Sequence, residues 1–223
     1  MIDKRQKMMI EPEAIGLISK YGLAYPEYRL VNSSEDAARF AESIGRPVVF
    51  KVISPELLHK SDVGGVMTGI MGAKSAAQAY RDLMARMKRN APEIEITGIL
   101  VCRQADPGLE VVLGGVRDPS FGPTVMFGLG GVFTEVIKDV SFRIAPLERI
   151  DAEEMIDEIR GRSLLNGYRG QPAIHRGRLI DALQAVGRMM VDCDDVEELD
   201  LNPVRLYSDD LLALDVRIIK KQE

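Results

Sequence analysis

The sequence predicts an α+β protein with largely antiparallel sheets, because strand-like runs that can pair recur between amphipathic helices. Two such runs near the C-terminus, ELDLNPVRLY and LLALDVRII, flank the turn residues Ser208-Asp209-Asp210 and indicate a hairpin. Before them, apolar residues recur at helical spacing from about Arg176 to Asp192. The pattern changes near residue 98, where strand-like runs begin to follow one another. We therefore expect two subdomains, residues 1–98 and residues 99–223.

The composition is that of an ordinary globular protein. Of 223 residues, 46% are hydrophobic and 28% are charged, and the net charge of −5 argues against a nucleic-acid scaffold, which would normally carry a basic face. No apolar stretch approaches the ~20 residues that span a bilayer, and the first residues do not resemble a signal peptide. Cys102 and Cys193 have no metal-site spacing. We expect reduced thiols in a cytoplasmic protein.

Helices alternate with extended runs in the N-terminal half. An acidic first turn, EPEA, opens a helix that should reach about Tyr21, and the extended piece YPEYRLV follows. Ser33 and Asp36 have capping-box spacing at the start of a second helix, which Gly45 ends. The run RPVVFKVIS predicts a strand. The polar segment HKSDVGGVMTGI separates it from a helix predicted from about Ser75 to Asn90.

Strand-like runs dominate the next stretch. TGILVCRQ and LEVVLGGVR predict two strands separated by the turn signal Ala105-Asp106-Pro107-Gly108. PTVMFGLGGVF predicts a third strand that ends in glycines, and Asp151 with Glu154 should cap another helix.

Lys51 and the glycine-bearing loop after it are the first candidate site. Strand alternation puts Lys51 on one face with Val49 and Ile53, where its charge must either reach solvent or meet an anion. Gly64 and Gly65 close the polar loop, and backbone N–H groups in such a loop suit phosphate oxygens. The loop is not a Walker A motif, and nothing matches the dinucleotide-binding glycine pattern.

The C-terminal hairpin offers a candidate metal site. If the hairpin turns symmetrically about Ser208 and Asp209, Asn202 lies opposite Asp215 on one face, and Asp200 joins them two residues back. Carboxylate and amide oxygens are ligands that Mg²⁺ accepts when substrate phosphates complete its shell. The alternative is a solvated polar face.

Four further features admit both functional and structural interpretations. Gly128–Gly131 could cradle a ligand or form a tight turn, and Glu110 after the Asp-Pro-Gly turn is equally ambiguous. Arg143 could bind phosphate or pair with a neighbour, and His175 is expected to be a surface or capping residue. No spacing supports a Ser-His-Asp site or a Cys/His metal cluster.

Taken together, these segments resemble the ATP-grasp subunit of ADP-forming acetyl-CoA synthetases. The resemblance extends from about Glu11 to the end of the chain. The motifs that carry it are KVISPELLHKSDVGGV, LEVVLGGVRDPSFGPTVMFGLGGVFTEVIKDVSFRIAPL, LLNGYRG, and ELDLNP with ALDVR.

The resemblance implies an ATP-grasp fold, in which two α+β subdomains clasp the nucleotide. Residues 1–98 would form the nucleotide lid with the His59 loop, and residues 99–223 would hold the adenine hinge and the Mg²⁺ site. By this resemblance Lys51 neutralises phosphates, and His59 carries a phosphoryl group between active sites. The remaining implied nucleotide residues are Gly64, Gly65, Val101, Cys102, Arg103, Gln104, Glu110, Gly130 and Gly131, and the implied metal ligands are Asn202, Asp215 and Asp200. One departure concerns the hinge, where relatives often read ILVQ, then Glu or Arg, then Met, whereas this chain has Cys102-Arg103-Gln104.

The implied function is that of one subunit of an ADP-forming acyl-CoA synthetase. A CoA-binding α subunit would form an acyl phosphate from acyl-CoA, and the phosphoryl group would pass through His59 to ADP. Two alternatives use the same fold: a carboxylate–amine ligase, and a non-catalytic nucleotide-sensing module like that of some protein acetyltransferases.

Overall fold

The computed structural model describes residues 6–57, 60–131, 139–168, 170 and 172–221. The chain divides into two compact units: a small unit, Pro26–Asp106, and a large unit, Met1–Tyr25 with Pro107–Glu223. This division differs from the predicted boundary at residue 98 in two ways. The strand Gly98–Arg103 is an inner strand of the small unit's sheet, and the strand Gln6–Met8 pairs with the last strand of the chain.

The small unit is a four-stranded antiparallel sheet in the order β2-β5-β3-β4, with two helices packed on one face. The Ser33 side chain accepts a hydrogen bond from the Asp36 N–H and starts α2, and Gly45, with φ of 63°, ends it, both as predicted. Phe40, Phe50 and Leu83 are buried in the core between the sheet and the helices. The elements are β2 (Tyr28–Val31), α2 (Ser34–Ile44), β3 (Val48–Ile53), β4 (Val66–Ile70), α3 (Gly72–Asn90) and β5 (Gly98–Arg103).

The large unit is a seven-stranded sheet in the order β1-β11-β9-β6-β7-β8, with β10 also paired to β9. Its strands are β1 (Gln6–Met8), β6 (Leu109–Asp118), β7 (Gly122–Leu129), β8 (Val140–Ile144), β9 (Val196–Leu206), β10 (Leu211–Ala213) and β11 (Val216–Lys221). Its helices are α1 (Glu11–Lys20), α4 (Arg149–Glu158), the 3-10 helix (Arg160–Asn166) and α5 (Arg176–Asp192).

Helix α5 packs closely on the centre of this sheet, where Gly115 of β6 leaves room for it: a Cβ atom on Gly115 would lie 2.6 Å from Met190 Cγ of α5. Gly187 of α5 leaves room for Leu147, which precedes α4, since a Cβ on Gly187 would lie 3.0 Å from Leu147 Cδ1. The apolar stripe predicted for this helix is confirmed, because all four of its residues are buried: Leu179, Leu183, Val186 and Met190.

The structure refines the expected local structure at three places. The predicted strands on either side of Ala105–Gly108 are present as β5 and β6, which belong to different sheets; the hairpin partner of β6 is β7. Glu148 is the N-cap of α4, and Asp151 is its capping-box partner at the third helical position. The segment HKSDVGGVMTGI contains strand β4, and DVSFRIAP contains edge strand β8. No helix within the described ranges is both long and apolar enough to cross a membrane.

Candidate functional site

A cleft of about 310 Å³ opens in the large unit where β6 begins and β7 ends. It brings together Glu110, Gly130 and Gly131, three of the residues singled out in the sequence. Gly130 N–H donates to the Glu110 carbonyl at 2.8 Å, and a Cβ atom on Gly130 would lie only 3.0 Å from that oxygen. A glycine is therefore favoured here, because a side chain would crowd the two backbones where they approach. Among the described residues, the lining comprises Gly108, Leu109, Glu110, Leu129, Gly130, Gly131 and Leu164.

The Glu110 carboxylate is paired with a cation that the sequence interpretation overlooked. Arg205 of β9 donates to it, and β6–β9 pairing places the two residues directly opposite each other. The Glu110 side chain is 39% exposed, against 20% for Arg205. The cleft residue Glu110 is thus held beside a guanidinium, and its carboxylate oxygens can also accept hydrogen bonds from a polar ligand.

The predicted register of the C-terminal hairpin is confirmed by the pairs on both sides of the metal candidates. Ala213 pairs with Val204, and Val216 pairs with Leu201, so position 202 faces position 215 between them. The ladder is interrupted there, with the Leu214 N–H donating to the Pro203 carbonyl at 2.9 Å, and the Asn202–Pro203 peptide is cis.

Burial along β9 separates the apolar side chains from the candidate ligands. Leu199 and Leu201 are buried, whereas Asn202 is exposed and Asp200 and Asp215 are partly buried. The Asp200 carboxylate lies 3.7 Å from Arg217 Nη2, and Arg217 also pairs with Glu198. Among the described residues no group of three or more His, Cys, Asp and Glu side chains is arranged to hold a metal. The oxygen donors Asn202 and Asp215 nevertheless fit the incomplete protein shell that Mg²⁺ uses beside phosphates.

Lys51 lies on the face of the small sheet that is opposite α2 and α3. Val48, Phe50 and Val52 point into the core with those helices, so the predicted alternation of β3 is confirmed. Lys51 is 8% exposed and pairs with Val66 on one side and Leu100 on the other. Pairing on both sides fixes the position of Lys51 on that face of the sheet.

The hinge residues divide between the two faces of the same sheet. Val101 is buried in the core with α2 and α3 and pairs with strands on both sides, and its contact with adenine stays a prediction. The N–H groups of Arg103 and Gln104 donate to the Glu27 and Pro47 carbonyls, each at 2.8 Å. Pro47 has no N–H to donate back to the Gln104 carbonyl.

The glycine loop closes on itself. Gly64 N–H donates to the Ser61 carbonyl at 3.0 Å and Gly65 N–H to the Lys60 carbonyl at 2.7 Å, so both groups predicted to receive phosphate are engaged within the loop. Arg86 Nη1 of α3 donates to the Gly64 carbonyl at 3.0 Å. Gly64 has φ of 71°, and a Cβ on Gly65 would lie 2.8 Å from the Lys60 carbonyl oxygen. Both glycines are thus explained by loop geometry.

His59, the predicted phosphoryl carrier, lies outside the described residues. His175 is the N-cap of α5, where its Nδ1 accepts from the Arg178 N–H at 3.2 Å, so the capping interpretation is confirmed. Arg143 pairs with Glu154 and Glu158 of α4, which raises the pKa of Arg143 and lowers the pKa of Glu158. Arg143 is therefore a structural cation.

The sequence interpretation missed two residues: Arg205, which pairs with Glu110, and Leu164, which lines the cleft. Arg205 belongs to the run NPVRLY, and only the pairing of β9 with β6 reveals its contact with Glu110. Leu164 belongs to LLNGYRG, one of the motifs that carry the family resemblance, and that resemblance could have indicated its place in the site.

Comparisons with known proteins give one consistent result. The sequence profile of the ATP-grasp domain matches residues 1–219. The β subunit of ADP-forming acetate–CoA ligase I from Pyrococcus furiosus is 41% identical over 211 residues, which cover 95% of this chain and 91% of that protein. A dinucleotide-forming acetyl-coenzyme A synthetase 1 from Candidatus Korarchaeum cryptofilum, solved with coenzyme A and Ca-AMPCP, matches with a TM-score of 0.94 and 47% identity over 96% of this chain and 94% of that chain. The Mg-AMPPCP complex of the same synthetase, with its phosphohistidine segment pointing towards the nucleotide-binding site, has a TM-score of 0.84 and 44% identity over 96% and 93% of the two chains.

Proposed function

Because the chain belongs to the ATP-grasp family and, within it, to the β subunits of ADP-forming acetate–CoA ligases, we propose that it binds Mg-ADP and Mg-ATP as one subunit of an ADP-forming acyl-CoA synthetase. The observation that carries the proposal is the glycine-edged cleft. In it, Glu110 of β6 meets Gly130 and Gly131, which follow β7, although Glu110 lies 20 residues before Gly130 in sequence. The Korarchaeum relative has been solved with an adenine nucleotide analogue, which supports the same ligand class here.

The cleft residues contact the nucleotide in this proposal. The Glu110 carboxylate accepts hydrogen bonds from ribose hydroxyls, and its ion pair with Arg205 keeps it oriented. Gly130 and Gly131 leave the cleft edge without side chains, so phosphate oxygens can approach the backbone closely.

Residues of the small unit contribute the phosphate cation and the base contacts. Lys51 neutralises phosphate charge, supported by its fixed position at the centre of β3. Cys102, paired with Val49 on the same face as Lys51, packs against the adenine ring. Pro47, the residue opposite Gln104, has no N–H, so it cannot donate a hydrogen bond to the Gln104 carbonyl. That carbonyl accepts a hydrogen bond from the adenine amino group. Arg103 contacts the edge of the ring. A carbonyl acceptor at this position would favour adenine over guanine, which carries an acceptor oxygen instead.

Asn202 and Asp215 are the proposed Mg²⁺ ligands, with phosphate oxygens and water completing the shell. Bound there, the ion neutralises charge on the transferring phosphoryl group. Asp200 contributes negative charge beside them. Because its carboxylate lies close to Arg217, we assign it to the second coordination shell, behind the two direct ligands.

His59 is the proposed phosphoryl carrier. A neutral imidazole is nucleophilic near pH 7, and its phosphoramidate remains reactive. Gly64 and Gly65 support this role indirectly, because the turn that they form, held to α3 by Arg86, fixes the chain shortly after His59.

The partner in this proposal is a CoA-binding α subunit, in keeping with the naming of the Pyrococcus relative as a β subunit. There the thioester C–S bond of acyl-CoA breaks as phosphate attacks, giving acyl phosphate and free CoA. The phosphoryl group then moves to a histidine of the partner, to His59, and to the terminal oxygen of ADP. The net reaction converts acyl-CoA, ADP and phosphate into acid, CoA and ATP.

The test separates nucleotide binding from turnover. Isothermal titration calorimetry of the isolated chain should detect Mg-ADP binding, whereas ATP synthesis from acetyl-CoA, ADP and phosphate should appear only after the α subunit from the same host is added. Robust synthesis by the chain alone contradicts the two-subunit proposal. Nucleotide binding with no synthesis in the reconstituted complex favours the sensing module, and nucleotide-dependent ligation of an amine favours the carboxylate–amine ligase.

A further inference from the structure

We propose that Asp139 is a positioning residue that fixes one wall of the nucleotide cleft from behind. The inference rests on the proposed function, because the cleft is the ligand site only if the chain binds nucleotide. Asp139 immediately precedes β8 and is 6% exposed. Burial of a carboxylate at this depth requires hydrogen-bond donors close to both of its oxygens.

Both oxygens of Asp139 bind the start of the 3-10 helix. Oδ1 accepts from the Arg160 N–H and Oδ2 from the Gly161 N–H, each at 2.8 Å. These are two successive backbone donors that a helix start leaves without intrahelical partners. The Asp139 carboxylate thus ties the start of β8 to the start of the 3-10 helix. It therefore sets the position of that helix.

Gly161 transmits this position to the cleft. A Cβ atom on Gly161 would lie 2.1 Å from Leu129 Cδ1, so the backbone of the 3-10 helix rests directly on the Leu129 side chain. Leu129 is the last residue of β7 and lines the cleft beside Gly130. Leu164, one turn further along the 3-10 helix, lines the same cleft, and its neighbour Leu165 is buried in the core.

The arrangement therefore connects Asp139 to two lining side chains, Leu129 and Leu164, although Asp139 is not itself among the lining residues. Loss of its charge would weaken both hydrogen bonds to the 3-10 helix and release the wall that Leu164 forms. The effect should fall on nucleotide affinity, because a site held loosely by its supporting residues binds less well.

The experiment uses the absence of tryptophan from the sequence. Leu164→Trp places a single fluorophore in the cleft wall, and its ligand-free emission reports the position of that wall, whereas the Kd for Mg-ADP is measured by calorimetry on the chain with Leu164 unchanged. Adding Asp139→Asn should shift the ligand-free emission to longer wavelength and raise the Kd for Mg-ADP on the order of tenfold. The matched control is Asp151→Asn, which removes another carboxylate that accepts from a backbone N–H, at the start of α4. It should change neither the emission nor the Kd.

Gly161→Ala is the second variant, and it probes the same path by displacing Leu129. It should raise the Kd even if Asp139→Asn fails to fold. Unchanged emission and unchanged Kd in a folded Asp139→Asn protein would overturn the inference, as would wild-type binding by Gly161→Ala. If the wild-type chain binds no Mg-ADP, the proposed function fails; an emission shift on adding Asp139→Asn to Leu164→Trp then still supports the positioning contact, and a constant emission contradicts it.

Discussion

Replacing Lys51 with methionine should remove most of the nucleotide affinity of this chain. The side chain is 8% exposed at the centre of β3, and methionine has a similar length and volume, so the packing of the strand is largely retained. What is lost is a charge-assisted hydrogen bond to phosphate, worth about 1.5–3 kcal/mol. That loss corresponds to a Kd about 10- to 150-fold higher.

The expected thermal shifts follow from this change in affinity. At a nucleotide concentration of 100 times Kd, the ligand stabilises the native protein by about 2.7 kcal/mol. For a chain of this size, that raises Tm by about 5–11 °C. If Lys51→Met weakens binding about 50-fold, the same concentration contributes only about 0.6 kcal/mol, or about 1–3 °C.

Differential scanning fluorimetry with and without Mg-ADP measures the effect, and each variant is compared with its own ligand-free Tm. Lys74→Met is the matched control, because Lys74 is an exposed lysine on α3. It should keep the full ligand-induced shift. The reasoning is refuted if Lys51→Met retains the wild-type shift, or if Lys74→Met loses it.

Three further predictions concern the metal site, the cleft and the acid stability of the large unit. Asp215→Asn or Asn202→Ala should abolish magnesium-dependent phosphoryl transfer in the reconstituted enzyme without lowering Tm. The control Asp209→Asn, in the adjacent turn, should keep phosphoryl transfer. Wild-type activity of either ligand variant across a magnesium titration would contradict the assignment. Gly130→Ala should weaken Mg-ADP binding by calorimetry, because its Cβ would lie 3.0 Å from the Glu110 carbonyl, whereas Gly16→Ala, whose Cβ meets nothing within 4 Å, should bind normally. The Arg143 guanidinium lowers the pKa of Glu158, so this pair stabilises the fold above the ordinary carboxyl pKa and loses its effect as the pH falls through the lowered value. Urea unfolding at pH 6 and pH 3 should therefore show a smaller pH dependence for Arg143→Met than for wild type, and equal pH dependence would refute this cause.

Local sequence signals predicted the parts of the site that depend on turn geometry and strand alternation. The hairpin register that places Asn202 opposite Asp215 follows from the turn at Ser208-Asp209 alone, and the pairs on either side confirm it. The face on which Lys51 lies follows from the period of two along β3. Both features are set within a few residues of the position concerned.

Features that depend on distant pairing could not be predicted in this way. The turn at Ala105–Gly108 leads from one sheet to the other, and no local signal distinguishes such a connection from a hairpin. The Glu110–Arg205 pair requires the register of β6 on β9, and the burial of Asp139 requires the 3-10 helix to fold back onto the end of β7. The glycine loop was interpreted as a set of open donors because its internal hydrogen bonds arise from the folded loop.

Transfer of label to His59 tests the central claim most directly. The chain is incubated with γ-labelled ATP and Mg²⁺, with and without its α subunit, and the label is assayed for the acid lability and base stability of a phosphohistidine. Label on wild type and on His175→Asn, together with no label on His59→Asn and turnover lowered by orders of magnitude, is the predicted result. Near-normal turnover by His59→Asn, or label that persists on this chain without His59, would contradict the phosphoryl relay.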